Sequence, residues 1–371
     1  MLMLHPPPQK PTLLWASPDV AAHVLGGSGR AKQVWETLRA GGDPFSEDDM
    51  GGKARRALLD GFSPPTHRVV ARHVAPCGTT KLLVSLRGET EVETVIIPQK
   101  GFSTLCVSSQ VGCRQACSFC ATGTMGLLAN LQSEDILAQL HVAQGAIRED
   151  GLPPLRNIVY MGMGEPADNL KAVSEALRTM VHPFGFRMAR NHVCVSTVGP
   201  SPSAIRALKP LPCRLAWSVH AADDELRKLL VPTSTWRMSQ LRDAWAETLA
   251  ARNDRGLMAE VTLIDGVNDD LASADALCAL LAPLPGKTRV NCIPYNANTG
   301  LGAAGRLFLP SPPAAVRAFQ RRVLSRGCIC TVRTARGDDD ASACGMLKLE
   351  TSRVGSGGSR PRPLSGRSAG Q

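Results

Sequence analysis

From about residue 101 onward the chain alternates short β-branched runs with amphipathic stretches, and this alternation restricts the fold more than any other feature. TLCV (104–107), NIVYM (157–161), HVCVS (192–196), RLAWSV (214–219), MAEVTLI (258–264), TRVNCIP (288–294) and CICTVR (328–333) read as strands. The stretches SEDILAQLHVAQGAI, DNLKAVSEALRTM, SPSAIRAL, MSQLRDAWAETLAAR, ADALCALLAPL and PAAVRAFQRRVLS between them read as helices. Acidic residues after Ser133 and Gly327 after the last helical run agree with helix ends. Strand and helix in strict alternation predict a parallel sheet covered by helices. The expected fold class is therefore α/β, a partial (β/α)6-type barrel over residues 101–350, and such barrels gather function at the C-terminal strand ends.

The front of the chain follows a different pattern. Residues 28–65 read as a small helical unit: RAKQVWETLRAGG sets Val34, Trp35 and Leu38 on one face, and KARRALLDGF does the same with Leu58 and Leu59. Residues 66–100 read as a β-hairpin connector, TKLLVSL and TEVETVIIP flanking the turn RGE. Residues 1–27 are expected to form a flexible extension, and the Gly/Ser/Pro/Arg-rich residues 351–371 a disordered basic tail.

No run of about 18 apolar residues appears, so no membrane span is expected. MLMLHPPPQKPTLLWASPDV lacks the basic, apolar and small-residue succession of a secretory signal. The cytoplasm is the expected location, with an organelle as the alternative if that stretch is a transit segment. Net charge is +10, and Arg353, Arg360, Arg362 and Arg367 of the tail contribute four of those charges. The basic excess left on the body suits either a polyanionic partner such as RNA or a simply soluble surface.

Twelve cysteines in a chain with no secretory signal argue against a disulfide framework. Cys194, Cys278 and Cys292 sit in apolar runs and read as small core residues. Cys113, Cys117 and Cys120, in CRQACSFC just after the first barrel strand, do not. A structural zinc site wants four ligands in two pairs, and no second pair completes this set. Three thiolates on one loop suit an iron–sulfur cluster better. A [4Fe–4S] cluster with three protein ligands keeps one iron open. Gly164 and Glu165 in MGMGEP, Ser196 in VSTVG, Ser218 and His220 in WSVH, and Asn296 in IPYN all fall at strand C-terminal ends. Taken singly, each more often caps a helix or bonds a loop. Cys106 and Cys344, the latter in the polar loop of RGDDDASACG, read either as packing residues or as a thiol pair beside the cluster.

CxxxCxxC after the first barrel strand resembles the radical S-adenosylmethionine (SAM) superfamily. TLCVSSQVGCRQACSFCATG, MGMGEP, VSTVG, SVHA, IPYN and RGDDDASACG, in this order, resemble the RlmN/Cfr family of radical SAM RNA methyltransferases over roughly residues 28–350. The resemblance implies a radical SAM barrel with an RNA-binding accessory helical domain. It implies Cys113, Cys117 and Cys120 as cluster ligands, and Gly164, Glu165, Ser196, Ser218, His220 and Asn296 as SAM contacts. It implies that Cys344 carries the methyl group and that Cys106 resolves the RNA adduct through a transient disulfide. Glu93 of ETVIIP, which strand pattern alone makes an exposed residue, is implied as the proton acceptor.

The expected reaction is methylation of adenosine C2 in large-subunit ribosomal RNA, with transfer RNA beside the anticodon as a further target. C8 methylation and a non-catalytic RNA-binding protein are the alternatives. Flavodoxin or ferredoxin is the expected electron donor, and a monomer the expected state. The chain departs from the family after the cluster, with Leu127 and Ala129 where Phe and Arg are usual, and after MGMGEP, with Ala167 and Asp168 in place of the usual Leu.

Overall fold

The computed structural model describes residues 10–46, 51–252, 256–297, 308–333 and 346. Helices α1 (Pro18–Val24), α2 (Ser28–Arg39) and α3 (Gly52–Gly61) lead into strands β1 (Arg68–Val74), β2 (Thr80–Ser85), β3 (Glu91–Gln99) and β4 (Phe102–Cys106). A small hairpin, β5 (Gln110–Cys113) and β6 (Gly126–Asn130), frames the cysteine loop. Then come α4 (Ser133–Glu149), β7 (Leu155–Tyr160), α5 (Leu170–Val181), β8 (Val193–Thr197), α6 (Pro202–Ala207) and β9 (Arg214–Ser218). The order closes with α7 (Asp224–Leu230), α8 (Met238–Ala250), β10 (Met258–Leu263), α9 (Leu271–Leu281), β11 (Arg289–Pro294), α10 (Pro313–Ser325) and β12 (Ile329–Val332).

All strands but β5 and β6 form one ten-stranded sheet, ordered β1-β2-β3-β4-β7-β8-β9-β10-β11-β12. From β4 to β12 the seven strands run parallel, joined by six helix-bearing crossovers. β1, β2, β3 and β4 pair antiparallel, so the expected hairpin continues the barrel sheet directly: Val95 of β3 lies opposite Cys106 of β4. β1 was not apparent in the sequence, because RVVARHV has exposed apolar and charged residues with no alternation.

The expectation of a flexible segment over 1–27 is corrected where that segment is described. Leu13, Leu14, Ala16, Ala21 and Leu25 are buried in the same hydrophobic core as Val34, Trp35, Leu38 and Leu58. Ser17 caps α1 by accepting the Val20 N–H, and Pro18 presets the first helical φ. Cys344, residues 1–9 and the tail 351–371 lie outside the described residues. Among the described residues no helix is long and apolar enough to cross a membrane.

Candidate active site

One cavity is lined from six neighbouring strand ends: Cys113, Cys117 and Cys120 after β4, Gly164 and Glu165 after β7, Ser196 on β8, Ser218 and His220 at β9, Glu260 on β10, and Asn296 after β11. In a flat sheet with strands about 4.8 Å apart these ends would spread over about 24 Å. Their meeting at one cavity requires the curvature of a partial barrel.

The cysteine loop is held from several sides. Cys120 N–H donates to the Cys117 carbonyl at 3.0 Å, and Ser118 N–H donates to the Leu230 carbonyl at 3.0 Å. Burial pushes the Cys113 thiol up to about 12, and burial, followed by the neighbouring thiols, raises Cys117. Burial also raises Cys120, against backbone hydrogen bonds from Gly123 and Thr122. Three soft donors held in a water-poor pocket as neutral thiols need a cation to become thiolates. Among the described residues no three His, Cys, Asp or Glu side chains are gathered tightly around a point where one metal ion would sit. A cluster asks for one thiolate on each of three irons, and this donor set has that chemistry.

Gly164 has φ 98°, and a Cβ there would fall 2.6 Å from Cβ of Gln110. A glycine at 162 is required by contact, since its Cβ would meet the Val107 carbonyl and the Ser108 hydroxyl at 2.8 Å. Glu165 is buried, and its carboxylate accepts from Ala167 N–H and Val198 N–H, each at 2.9 Å. Burial pushes Glu165 up to about 7, against those hydrogen bonds and one from Thr197. The Ser196 and Ser218 hydroxyls lie 3.0 Å apart. His220 Nδ1 accepts the Thr262 N–H at 3.2 Å, which leaves the ring proton on Nε2. Burial, then Arg227, lowers its pKa well below the usual range, so the ring is neutral and meets Phe119 edge-on at 4.7 Å.

Cys106 is buried at the end of β4, packed with Val95 and Met163 against Met161 and Met125. Met161 also lines the cavity, so Cys106 stands one side chain behind its wall. Glu93 differs from the exposed strand residue that sequence pattern suggests: it is only 5% exposed and ion-paired to Lys81 at 3.0 Å. Its parity on β3 matches Val95, so it shares a face with Cys106, and it lies on the mouth side, where its carbonyl accepts from the Ser108 hydroxyl at 2.6 Å. The segment carrying Cys344 leaves β12 through Arg333, whose guanidinium contacts Met161 Sδ at 4.0 Å.

The pattern of the Radical SAM superfamily matches residues 107–276. The dual-specificity RNA methyltransferase RlmN of Dinoroseobacter shibae is 38% identical over 337 residues, 88% of this chain and 84% of that protein. Its namesake in Cereibacter sphaeroides is 37% identical over 336 residues, at the same coverage. The chain belongs to the RlmN family. A radical SAM methyltransferase from Sphaerobacter thermophilus, known from its crystal structure, matches with a TM-score of 0.80 at 32% identity, over 92% of this chain and 100% of that one. As an RlmN-type protein the chain is a radical SAM RNA methyltransferase with the radical SAM fold, and membership implies an iron–sulfur cluster and SAM.

Two features of this RlmN-type site escape sequence reading. Arg227 of α7 is 1% exposed and donates to the carbonyls of Ser218, Val219 and Val198 at 2.7, 2.6 and 2.7 Å. Burial lowers its pKa to about 10, and the neighbouring Cys117 and Glu165 hold it up. The second is Asp168, one of the two residues standing where the family commonly has Leu. It accepts from Arg114 Nε at 2.8 Å and from Gln115 Nε2 at 2.6 Å, clasping the loop between Cys113 and Cys117.

Proposed function

We propose that this enzyme methylates C2 of adenosine in large-subunit ribosomal RNA, with transfer RNA beside the anticodon as a second substrate. The observation that carries the reading is the convergence of three thiols, a carboxylate, two serines and a neutral histidine on one cavity, with a fourth thiol stored just behind it. Cys113, Cys117 and Cys120 would hold a [4Fe–4S] cluster, while Gly164, Glu165, Ser196, Ser218, His220 and Asn296 would hold SAM. When bound, cluster and SAM together supply a deoxyadenosyl radical and an activated methyl group.

Adenine C2 is electron-poor and does not attack an electrophilic methyl group, so the carbon must arrive as a radical on the protein. Cys344 takes that role: its thiolate accepts a methyl group, the S-methyl loses one hydrogen atom, and the methylene carbon bonds to C2. Glu93 accepts the proton leaving C2, and the one electron released with it passes to the cluster that Cys113, Cys117 and Cys120 would hold. The Cys106 thiolate then attacks the Cys344 sulfur, forming a disulfide as the sulfur–carbon bond breaks and the freed carbon takes a proton. Glu93 sharing a face with Cys106 supports this division of labour. The base must leave its stack to reach the barrel mouth. We place the enzyme in the cytoplasm as a monomer reduced by flavodoxin or ferredoxin.

Mass spectrometry of nucleosides from cells lacking the protein tests the regiochemistry: 2-methyladenosine is lost, whereas an unchanged profile or loss of 8-methyladenosine overturns it. Cys344→Ala abolishes methyl transfer and keeps the cluster absorbance, and Cys106→Ala accumulates a covalent RNA adduct. Full activity in either variant refutes the two-cysteine scheme.

A further inference from the structure

A second, larger depression lies on the outside of the barrel. It is a groove of about 1730 Å³ between the N-terminal segment around Trp15 and helices α5 and α6. That volume is well above the few hundred to about 1,000 Å³ of a small-molecule pocket. Six cationic side chains line it, against the carboxylates of Asp19 and Glu175. Arg206 is spent on Glu247 at 2.5 Å, and Arg252 on backbone carbonyls including Cys213 at 2.6 Å. Lys171, Arg178, Arg190 and Lys209 are exposed and have no ion pair or side-chain hydrogen bond among the described residues. Trp15 stands beside them, 59% exposed, an indole face with little packed against it. Asp19 is itself paired with His182 at 3.4 Å.

The groove begins at the active-site rim. Asn130, at its upper end, accepts from Gln110 at 2.7 Å, and Gln110 accepts the Glu165 N–H at 2.8 Å, so one side chain separates groove from cavity. It then runs along α5, whose twelve residues span about 18 Å, to Arg190 before β8 and Lys209 before β9.

We propose that this groove holds a second stretch of the substrate RNA, its phosphates on Lys171, Arg178, Arg190 and Lys209 and an unpaired base stacked on Trp15. The proposal rests on the reading of the chain as an RNA methyltransferase and extends it to a contact away from the mouth. Free cations spaced along a polymer-sized groove match a backbone carrying one charge per nucleotide, and an exposed indole suits stacking. An acidic protein would match the charge but would not use the indole face.

The test compares the reconstituted holoenzyme with the variant Arg178→Gln/Arg190→Gln/Lys209→Gln and with Trp15→Ala. Two RNAs are used: a large-subunit RNA fragment, and a hairpin whose three-base-pair A-form stem is too short to run the groove. For the long RNA, the triple variant lowers the slope of log K against log salt by about 2, from 0.7 to 0.9 per lost contact. Trp15→Ala weakens long-RNA binding roughly tenfold through lost stacking. Methylation of the hairpin keeps its kcat in both variants. An unchanged salt slope with methylation intact overturns the groove and leaves the enzymatic reading standing. So does slower reduction by an acidic flavoprotein with RNA binding unaltered. A parent enzyme that methylates neither RNA, yet binds the long one with a slope the variant lowers, overturns the enzymatic reading and supports the groove.

Discussion

Replacing Arg227 with Met should damage the site without touching a proposed ligand. The guanidinium ties the Val198 carbonyl just past β8 to the Ser218 and Val219 carbonyls at the end of β9. Val198 also accepts from the Trp217 indole at 3.2 Å and Val219 from Ala221 N–H at 2.6 Å, so each keeps a donor. Their losses are about 1 kcal/mol apiece, while the Ser218 carbonyl loses up to about 3. The apolar replacement also relieves a buried charge whose Nε has no partner among the described residues, which offsets part of the sum. A net destabilisation of about 3 kcal/mol follows. Because Ser196, Ser218 and His220 ride on these strand ends, SAM affinity should fall at least tenfold. Urea midpoints of the cluster-loaded protein and equilibrium dialysis with labelled SAM read the two effects, and Arg227→Lys should recover part of each. An unmoved urea midpoint together with unaltered SAM affinity in Arg227→Met would refute the reasoning.

Three further outcomes are expected. His67 Nε2 and His141 Nδ1 are 2.8 Å apart, and burial, then His141, pushes His67 down to about 3. The folded state therefore excludes a proton that the unfolded chain binds below about 6.5, and stability is lost as pH falls from there toward 3. At pH 5.5 this amounts to about 1.4 kcal/mol relative to pH 8, visible in urea midpoints and removed in His67→Gln. Asp168→Ala unclasps Arg114 and Gln115, so a chelator should strip the cluster about tenfold faster, for a loss of charge-assisted bonds of about 1.5 kcal/mol; equal rates of bleaching would count against the clasp. Gly164→Ala forces a Cβ to 2.6 Å from Gln110 at positive φ, and SAM affinity should drop while the cluster absorbance stays.

The strand ends carrying the cavity were legible because the parallel strands follow a helix-separated rhythm that fixes where each one stops. Glu93 and Arg227 were not. Both faces of β3 are covered, so Val92 and Glu93 are buried alike and the alternation that marks an outward carboxylate carries no information there. DELRKLL reads as a surface helix, since an Arg in a charged run is usually solvated; only the tertiary placement of three converging carbonyls makes that cation internal. Asp168 gave no local signal because its partners lie 53 and 54 residues upstream. The expectation of a flexible N-terminal segment failed because Leu13, Leu14 and Ala16, with Ala21 of α1 and Leu25 just after it, supply an apolar face that packs into the core.

The hydrophobic core runs without interruption from Leu13 to Cys330. A molecule knit in this way acts as a fixed gauge between the front helices and the barrel rim. Adaptation to different RNAs must then come from the nucleic acid, which bends or unpairs to bring its target base to a stationary opening, and RNAs too stiff to do so are refused on mechanical grounds before any chemistry begins.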